Sequence, residues 1–240
     1  MYLSSARIIK ALAVYAAVVT SVVTLLNLGC KDPHARAKVM MGALLVVIWC
    51  LGFGLVSYFG RERFARVFVA VRLPWQVKFV VCAIGLAMLE EVVTVSLTNA
   101  APLLGSQMGK AMVTASTNYA ETVFLNSVWP IFVPWILAWA VLLTRYDFPA
   151  NHVFLCFGLL GALAESHFGP GVFLAAFWFF VYGLMVYLPA YALPQRKTSP
   201  LRWWHYGLTI LLPFLFMLPW GVLYSVIVTR VLGYQLISVN

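Results

Sequence analysis

The sequence from Ala83 to Asn99, AIGLAMLEEVVTVSLTN, places two adjacent carboxylates, Glu90 and Glu91, inside an apolar helical segment. A charged side chain at the centre of a membrane helix costs about 2.5–3.5 kcal/mol on insertion scales. Two such residues side by side therefore need a partner or a function. We expect the rest of the chain to build its fold around this segment.

Small and polar residues of the same segment fall on one face of the predicted helix. Ala83, Ala87, Glu91, Thr94 and Thr98 follow one another at steps of four, four, three and four residues, which is helical spacing. A face of this kind packs against other helices or lines a polar cavity, and it does not face lipid. The pattern predicts a helical bundle in which this face points inward.

The composition excludes a soluble globular protein. Of the 240 residues, 63% are hydrophobic and only 10% are charged, whereas soluble domains carry about 25% charged residues. The net charge of +9 indicates no nucleic-acid partner, because most Lys and Arg residues lie in short loops between apolar runs. We predict an all-α, polytopic integral membrane protein with one transmembrane domain over residues 1–240, in a plasma or inner membrane.

Seven apolar segments are predicted to span the membrane. Their boundaries are 8–29, 39–59, 78–99, 127–144, 153–166, 172–193 and 207–229. Residues 100–125 are too polar for a lipid-exposed span and too apolar for a free linker, so we predict an outer loop or a re-entrant segment there. The fifth segment is shorter than the roughly 20 residues that cross a bilayer, and the topology after it depends on whether it crosses.

The positive charges predict an orientation. With seven spans, one side of the membrane collects the larger set of Lys and Arg residues, and the positive-inside rule makes that side cytoplasmic. The N-terminus is then cytoplasmic and the C-terminus is outside. The larger set is Arg7, Lys10, Arg61, Arg63, Arg66, Arg72, Lys78, Arg145, Arg196, Lys197 and Arg202, and the smaller set is Lys31, Arg36, Lys38, Lys110 and Arg230.

Residues 61–73 have the pattern of an amphipathic helix in the membrane interface. Apolar residues recur at helical spacing from Phe64 to Val71, and arginines from Arg61 to Arg72 surround them. Such helices bind anionic lipid through their basic face. Anionic membrane lipid is therefore the partner predicted for this segment, and ordinary anchoring of the topology is the simpler interpretation.

Three glutamates are predicted to meet in the outer half of the bundle. Glu90 and Glu91 lie about two-thirds of the way along the third span, and Glu165 lies at the outer end of the fifth. Glu165 is four residues after Gly161, so its carboxylate shares a face with small residues that permit close packing. His167 follows two residues later.

One interpretation of this cluster is an enzyme, such as a membrane-embedded hydrolase. Glu91, Glu165 and His167 are ligand types that suit a divalent metal, and a bound metal activates water. Alternatively, Glu90, Glu91 and Glu165 are catalytic as general acid and base. Close like charges at low dielectric would then keep a proton on one carboxyl group.

Two other functions remain open at this point. Carboxylates inside a membrane carry protons or cations in many transporters and channels, and Pro130, Pro134, Pro213 and Pro219 interrupt two of the predicted spans. The glutamates could instead bind polar groups of a neighbouring helix, of a second copy, or of a partner in a membrane complex. The sequence alone does not decide among enzyme, transporter and structural subunit.

Overall fold

A computed structural model of the chain describes residues 4–166, 170–173, 176–196 and 198–231. This part of the protein is all-α, and its only β-type pairing is an isolated bridge between Tyr146 and Ser199. Five helices are long and apolar enough to cross a membrane, and two shorter apolar helices complete a set of seven. The seven are α1 (Ser5–Leu28), α2 (Pro33–Ala70), α3 (Trp75–Asn99), α4 (Tyr119–Arg145), α5 (Ala150–Glu165), α6 (Trp178–Tyr191) and α7 (His205–Arg230).

Helix α2 is a single helix of 38 residues. It begins at Pro33, where the Asp32 side chain accepts a hydrogen bond from the backbone N–H of His34 at 2.8 Å, a common N-terminal cap. Its middle part, Val46–Phe53, is wound as a wider π-helix. The Trp49 indole donates to the carbonyl oxygen of Val181 in α6 at 3.1 Å, which fixes α2 against that helix.

The segment predicted as a separate interfacial helix, 61–73, is the C-terminal part of α2 as far as Ala70. Gly60 does not interrupt the helix, since a single glycine costs only about 1 kcal/mol in a helix interior. The helix ends before Pro74, and the Lys78 ammonium donates to the carbonyl oxygens of Phe68 and Val71 at 2.6 and 3.2 Å. A lysine at this position satisfies carbonyl groups that the helix end leaves free.

Helix α3 lies at the centre of the bundle and packs against α2, α4 and α6. The five residues of the predicted inward face are all buried, and Glu91 is the most exposed of them at 5%. Ala83 and Ala87 are completely buried, so neighbouring helices approach closely along the part of α3 that precedes the glutamates. The spacing of small and polar residues therefore predicted the inner face of this helix.

The segment after α3 folds back over the end of the bundle. It begins with a 3-10 turn, Ala101–Leu104, and continues without regular structure to residue 118. The backbone N–H of Val113 donates to the Thr98 hydroxyl at 3.2 Å, and the Asn99 amide donates to the Thr117 carbonyl oxygen at 3.1 Å. These bonds return the segment to the end of α3, and α4 starts at Tyr119, earlier than the predicted residue 127.

Helices α5 and α6 form a closely packed antiparallel pair. Phe154 contacts Tyr187 near one end of the pair, and Glu165 meets Tyr182 nearer the other. A Cβ atom on Gly158 would lie 2.3 Å from the carbonyl oxygen of Phe179. The small side chains noted in the fifth segment are therefore required for contact with α6.

Helices α1 and α7 lie at the periphery, where only 6% of each apolar window is buried inside the protein. Helix α1 packs on α2 and α5, and α7 packs on α4 and α5. The core between them is rich in aromatic residues, and Trp49, Trp135 and Trp139 are almost completely buried. The exposed apolar faces of α1 and α7 are the surfaces expected to contact lipid.

Candidate functional site: a cavity with three glutamates

A cavity of about 640 Å³ is lined by Glu90, Glu91 and Glu165 together. Side chains from α1 to α6 and from the segment after α3 form its wall. Glu91 lies eight residues before Asn99, which places it about 12 Å along the helix from that end. The structure thus brings the three predicted glutamates to one cavity, toward the end of the bundle that the charge pattern places outside.

Glu91 is held by three hydroxyl groups from three separate parts of the chain. Thr94, one turn later in α3, and Thr114, in the segment that folds back, each donate to its Oε2 atom at 3.2 Å. Ser127 of α4 donates to its Oε1 atom. Each oxygen of this carboxylate therefore has at least one donor.

Ser127 lies at a break in α4. Its backbone angles, φ −135° and ψ −76°, are not helical, and π-helical turns precede and follow it as Thr122–Asn126 and Val128–Phe132. The N-terminus of the second half of α4 is therefore close to Glu91, where the positive end of a helix dipole favours an anion. Irregular backbone inside a membrane protein occurs where it is buried or lines a cavity.

Glu90 differs sharply from its neighbour. It is 3% exposed, it lines the same cavity, and its Oε1 atom is buried without a hydrogen-bond partner in the described part of the protein. A buried carboxylate oxygen without a donor is costly. Two adjacent glutamates thus share one cavity but have different surroundings.

Glu165 is the exposed member of the set. It lies at the C-terminal end of α5, and its Oε1 atom accepts a hydrogen bond from the Tyr182 hydroxyl of α6. Tyr182 also lines the cavity. Within the part of the chain that the structure describes, the three carboxylates are thus an exposed one, one held by hydroxyl groups and one buried without a partner at Oε1.

The positive charge near these carboxylates is limited. Lys38 of α2 is among the lining residues, but its ammonium group is not within ion-pair distance of any glutamate. The one ion pair in the described ranges joins Arg196 to Asp147 at 3.7 Å, and neither residue lines the cavity. With its carboxyl groups ionised, the lining therefore carries a net negative charge that favours a cation.

Four aromatic residues also line the cavity. They are Phe132 of α4, Phe177, Trp178 and Tyr182. The Tyr182 ring lies edge to face with Phe132 at 5.4 Å and with Trp178 at 6.1 Å between centroids. The cavity thus combines carboxylates with aromatic rings.

The predicted metal ligands are only partly described. Glu91 and Glu165 line the cavity, whereas His167 lies outside the described residues. Among the residues that the structure describes, no group of three or more His, Cys, Asp or Glu side chains is placed to hold a metal ion. The described donors alone therefore do not fit a metal centre.

Several residues of the cavity were missed in the sequence. Thr114 and Tyr182 meet the glutamates only through long-range contacts, for which a single sequence carries no signal. Ser127 had a weak signal, because it precedes two prolines, Pro130 and Pro134, in an apolar segment. Prolines at such spacing mark a helix that does not form all of its backbone hydrogen bonds.

Comparison of the chain with protein-family models, with curated proteins and with solved structures gives no match in any of the three. The chain is an all-α integral membrane protein with several membrane-spanning helices, and its function is inferred from the cavity.

Proposed function

We propose that this protein is a small membrane transporter that couples movement of a solute to a proton or another cation carried by Glu90, Glu91 and Glu165. The observation that carries the proposal is the pairing of Glu90, buried and without a partner at Oε1 among the described residues, with the hydroxyl-bound Glu91. Ionisable residues inside a membrane bundle commonly mark ion and proton pathways. A proton or cation supplies the partner that Glu90 lacks.

The arrangement of the carboxylates supports a path into the protein. A cation would first meet the exposed Glu165 and then the buried pair, Glu91 and Glu90. In the predicted orientation this path begins outside. The hydroxyl groups that bind Glu91 are uncharged, so they hold the carboxylate in place without neutralising it.

The break in helix α4 supports the proposal that the two halves of this helix move during transport. Transporters commonly form their central sites with discontinuous helices, and π-helical turns concentrate at functional sites. Here the break at Ser127 is tied directly to Glu91. Loss of negative charge on Glu91 would weaken that bond and so alter the position of the two halves of α4.

A proton-flux experiment tests the proposal. The purified full chain is reconstituted into liposomes that contain a pH-sensitive dye, and a potassium gradient with valinomycin drives proton entry. We expect Glu90→Gln and Glu91→Gln to abolish the flux of the wild type. Glu121→Gln is the matched control, because Glu121 is exposed and does not line the cavity.

Two results would contradict the proposal. If wild-type liposomes show no flux above empty liposomes under proton, sodium or potassium gradients, the carboxylates do not conduct these cations on their own, and the proposed cation path is overturned. If flux is present but unchanged in Glu90→Gln and Glu91→Gln, the cavity carboxylates do not carry it. Unchanged flux together with loss of a membrane complex in these variants would support a structural or assembly subunit.

A membrane-embedded hydrolase is the second candidate, and the size of the cavity favours it. About 640 Å³ falls within the usual range of sites for small organic ligands, roughly 300–1,000 Å³. Adjacent carboxyl groups in unlike surroundings also suit an acid and a base, with Glu90 as proton donor and Glu91 as acceptor. Incubation with a membrane lipid extract, followed by mass spectrometry, would show products that Glu91→Gln fails to form.

A metal-dependent form of this enzyme would use Glu91, Glu165 and His167 as ligands. Metal analysis of protein purified without chelators tests it. Near-stoichiometric metal that is lost in both Glu91→Gln and Glu165→Gln would support a shared site, and metal that persists in both variants would place it elsewhere.

We also propose that the end of α2 binds anionic lipid. Arg63, Arg66 and Arg72 are exposed, whereas Arg61 donates to the Tyr187 hydroxyl at 3.2 Å and lies over the Tyr58 ring. Each basic residue near an anionic surface contributes about 1 kcal/mol. Replacing the three exposed arginines with Gln should remove co-purified anionic lipid, while Arg7→Gln should leave it unchanged.

A further inference from the structure

We infer that the cavity takes an organic cation, an amine or quaternary ammonium ion with an apolar body, as the solute or substrate. This inference deepens the proposed function and rests on it for the role of the glutamates. We call the four aromatic residues that line the cavity, Phe132, Phe177, Trp178 and Tyr182, its aromatic wall. A bare proton or metal ion needs neither the volume of the cavity nor this aromatic wall. An organic cation uses both.

The carboxylates supply the charge that recognises the cation. Glu90 lines the cavity, is 3% exposed, and has an unpartnered buried oxygen in the described part of the chain. A carboxylate at low dielectric attracts a cation much more strongly than it does in water. Lys38 is exposed, so its ammonium group can be hydrated outside while the deeper glutamates bind the ligand.

The aromatic wall supplies the second half of the recognition. The Tyr182 ring lies 5.4 Å from that of Phe132 and 6.1 Å from that of Trp178, measured between ring centroids. Aromatic faces attract ammonium groups by cation–π interaction, with Trp the strongest. They also bury the apolar body of such a ligand, which a purely polar ion site would not do.

The geometry also favours a cation over an anion or a neutral lipid. The lining carries three carboxylates and one ammonium group, so an anionic ligand would meet net repulsion. A neutral ligand that lacks a hydrogen-bond donor would leave Glu90 without a partner. The distribution of charge and aromatic residues therefore points to one class of ligand.

Equilibrium dialysis of the full chain in nanodiscs tests the inference. The probe is radiolabelled tetraphenylphosphonium, and the control ligand is tetraphenylborate, which has the same shape and the opposite charge. We expect saturable binding of the cation at one site per chain. Glu90→Gln should weaken it at least about tenfold, and Glu121→Gln should leave it unchanged.

A second pair of variants tests the aromatic wall. Trp178→Leu should weaken binding about tenfold, whereas Trp178→Phe should retain most of it because a ring remains. Size-exclusion chromatography and circular dichroism confirm that each variant is folded. Phenyltrimethylammonium is tested in parallel as a smaller organic cation.

The outcomes separate this inference from the proposed function. If neither cation binds saturably, or if binding is equal for the borate or unchanged in Glu90→Gln, the inference is overturned. Glu90-dependent proton flux would still uphold the transporter in that case. If the cations bind through Glu90 but no flux occurs, the ligand class stands and the transporter does not.

Discussion

The hydroxyl group of Ser127 donates a hydrogen bond to Glu91 at the residue where helix α4 is broken. The bond joins the central helix of the bundle to a helix whose backbone is locally irregular. It also supplies the only donor to the Oε1 atom of Glu91 within the described ranges. The break in α4 and the glutamate pair are therefore parts of one arrangement.

Replacement of Ser127 by Ala should destabilise the protein. A hydrogen bond to a charged group contributes about 1.5–3 kcal/mol, and the variant leaves one buried oxygen of Glu91 without its donor. The free energy of unfolding in detergent should fall by about this amount. Ser225→Ala is the control, since the Ser225 hydroxyl donates to the Val222 carbonyl oxygen within a peripheral helix. Equal effects of the two variants would contradict the predicted role of Ser127.

Gly161 and Tyr182 give a second prediction. A Cβ atom on Gly161 would lie 2.0 Å from Cγ of Tyr182, so Gly161→Ala must displace the tyrosine that binds Glu165. Overpacking of this kind costs about 1–3 kcal/mol. The temperature of thermal unfolding should fall, and ligand binding in the cavity should be weaker.

Gly85→Ala is the matched control for this variant. A Cβ atom on Gly85 meets no atom of the described residues within 4 Å, and alanine is preferred over glycine in a helix interior by about 0.5–1 kcal/mol. The variant should be neutral or slightly more stable. A Gly161→Ala protein as stable as Gly85→Ala would show that the contact with Tyr182 is not tight.

Acidification should weaken binding of tetraphenylphosphonium. Protonation of the carboxyl groups that line the cavity removes negative charge from it and weakens its attraction for a cation. Affinity should therefore fall as the pH is lowered. Dialysis across a pH series measures how steeply the affinity changes with pH, and this dependence should be weaker in Glu90→Gln. Binding that strengthens at low pH would contradict the claim that ionised carboxylates attract the ligand.

The termini should lie on opposite sides of the membrane. Helices α5 and α6 form an antiparallel pair of 16 and 14 residues. If both cross, the chain has seven spans, and if neither crosses, it has five. Both numbers are odd, so the two termini lie on opposite sides in either case. With the orientation predicted from the positive charges, a protease-accessible tag at the N-terminus should be cytoplasmic and one at the C-terminus should be outside. Tags on the same side would show that the two helices do not behave as a pair.

Much of the fold follows from patterns that a single sequence contains. Hydropathy placed the apolar helices, and the spacing from Ala83 to Thr98 identified the buried face of α3. These features are local, since they depend on residues within one helix. The continuity of α2 past Gly60 was missed because an amphipathic segment after a glycine has the same pattern whether or not the helix continues.

The cavity was predictable only in part. The cost of burying charge indicated that Glu90 and Glu91 belong to a site, and the small residues on one face of the fifth segment indicated the same for Glu165. Their unequal surroundings depend on Thr114 and Ser127, which lie 23 and 36 residues from Glu91 in the chain. Contacts of this kind are set by how helices pack, and local spacing does not encode them. The aromatic wall was missed for the same reason.

Reaction with dicyclohexylcarbodiimide in membranes tests the central claim most directly. This apolar reagent adds to carboxyl groups that carry a proton in an apolar environment, and mass spectrometry locates the adduct. We expect labelling of Glu90 in the wild type, loss of this label in Glu90→Gln but not in Glu121→Gln, and slower labelling when tetraphenylphosphonium is present. Absence of label on Glu90 in the folded protein, or a labelling rate that no cation alters, would contradict the claim that this carboxyl group exchanges protons and cations in the cavity.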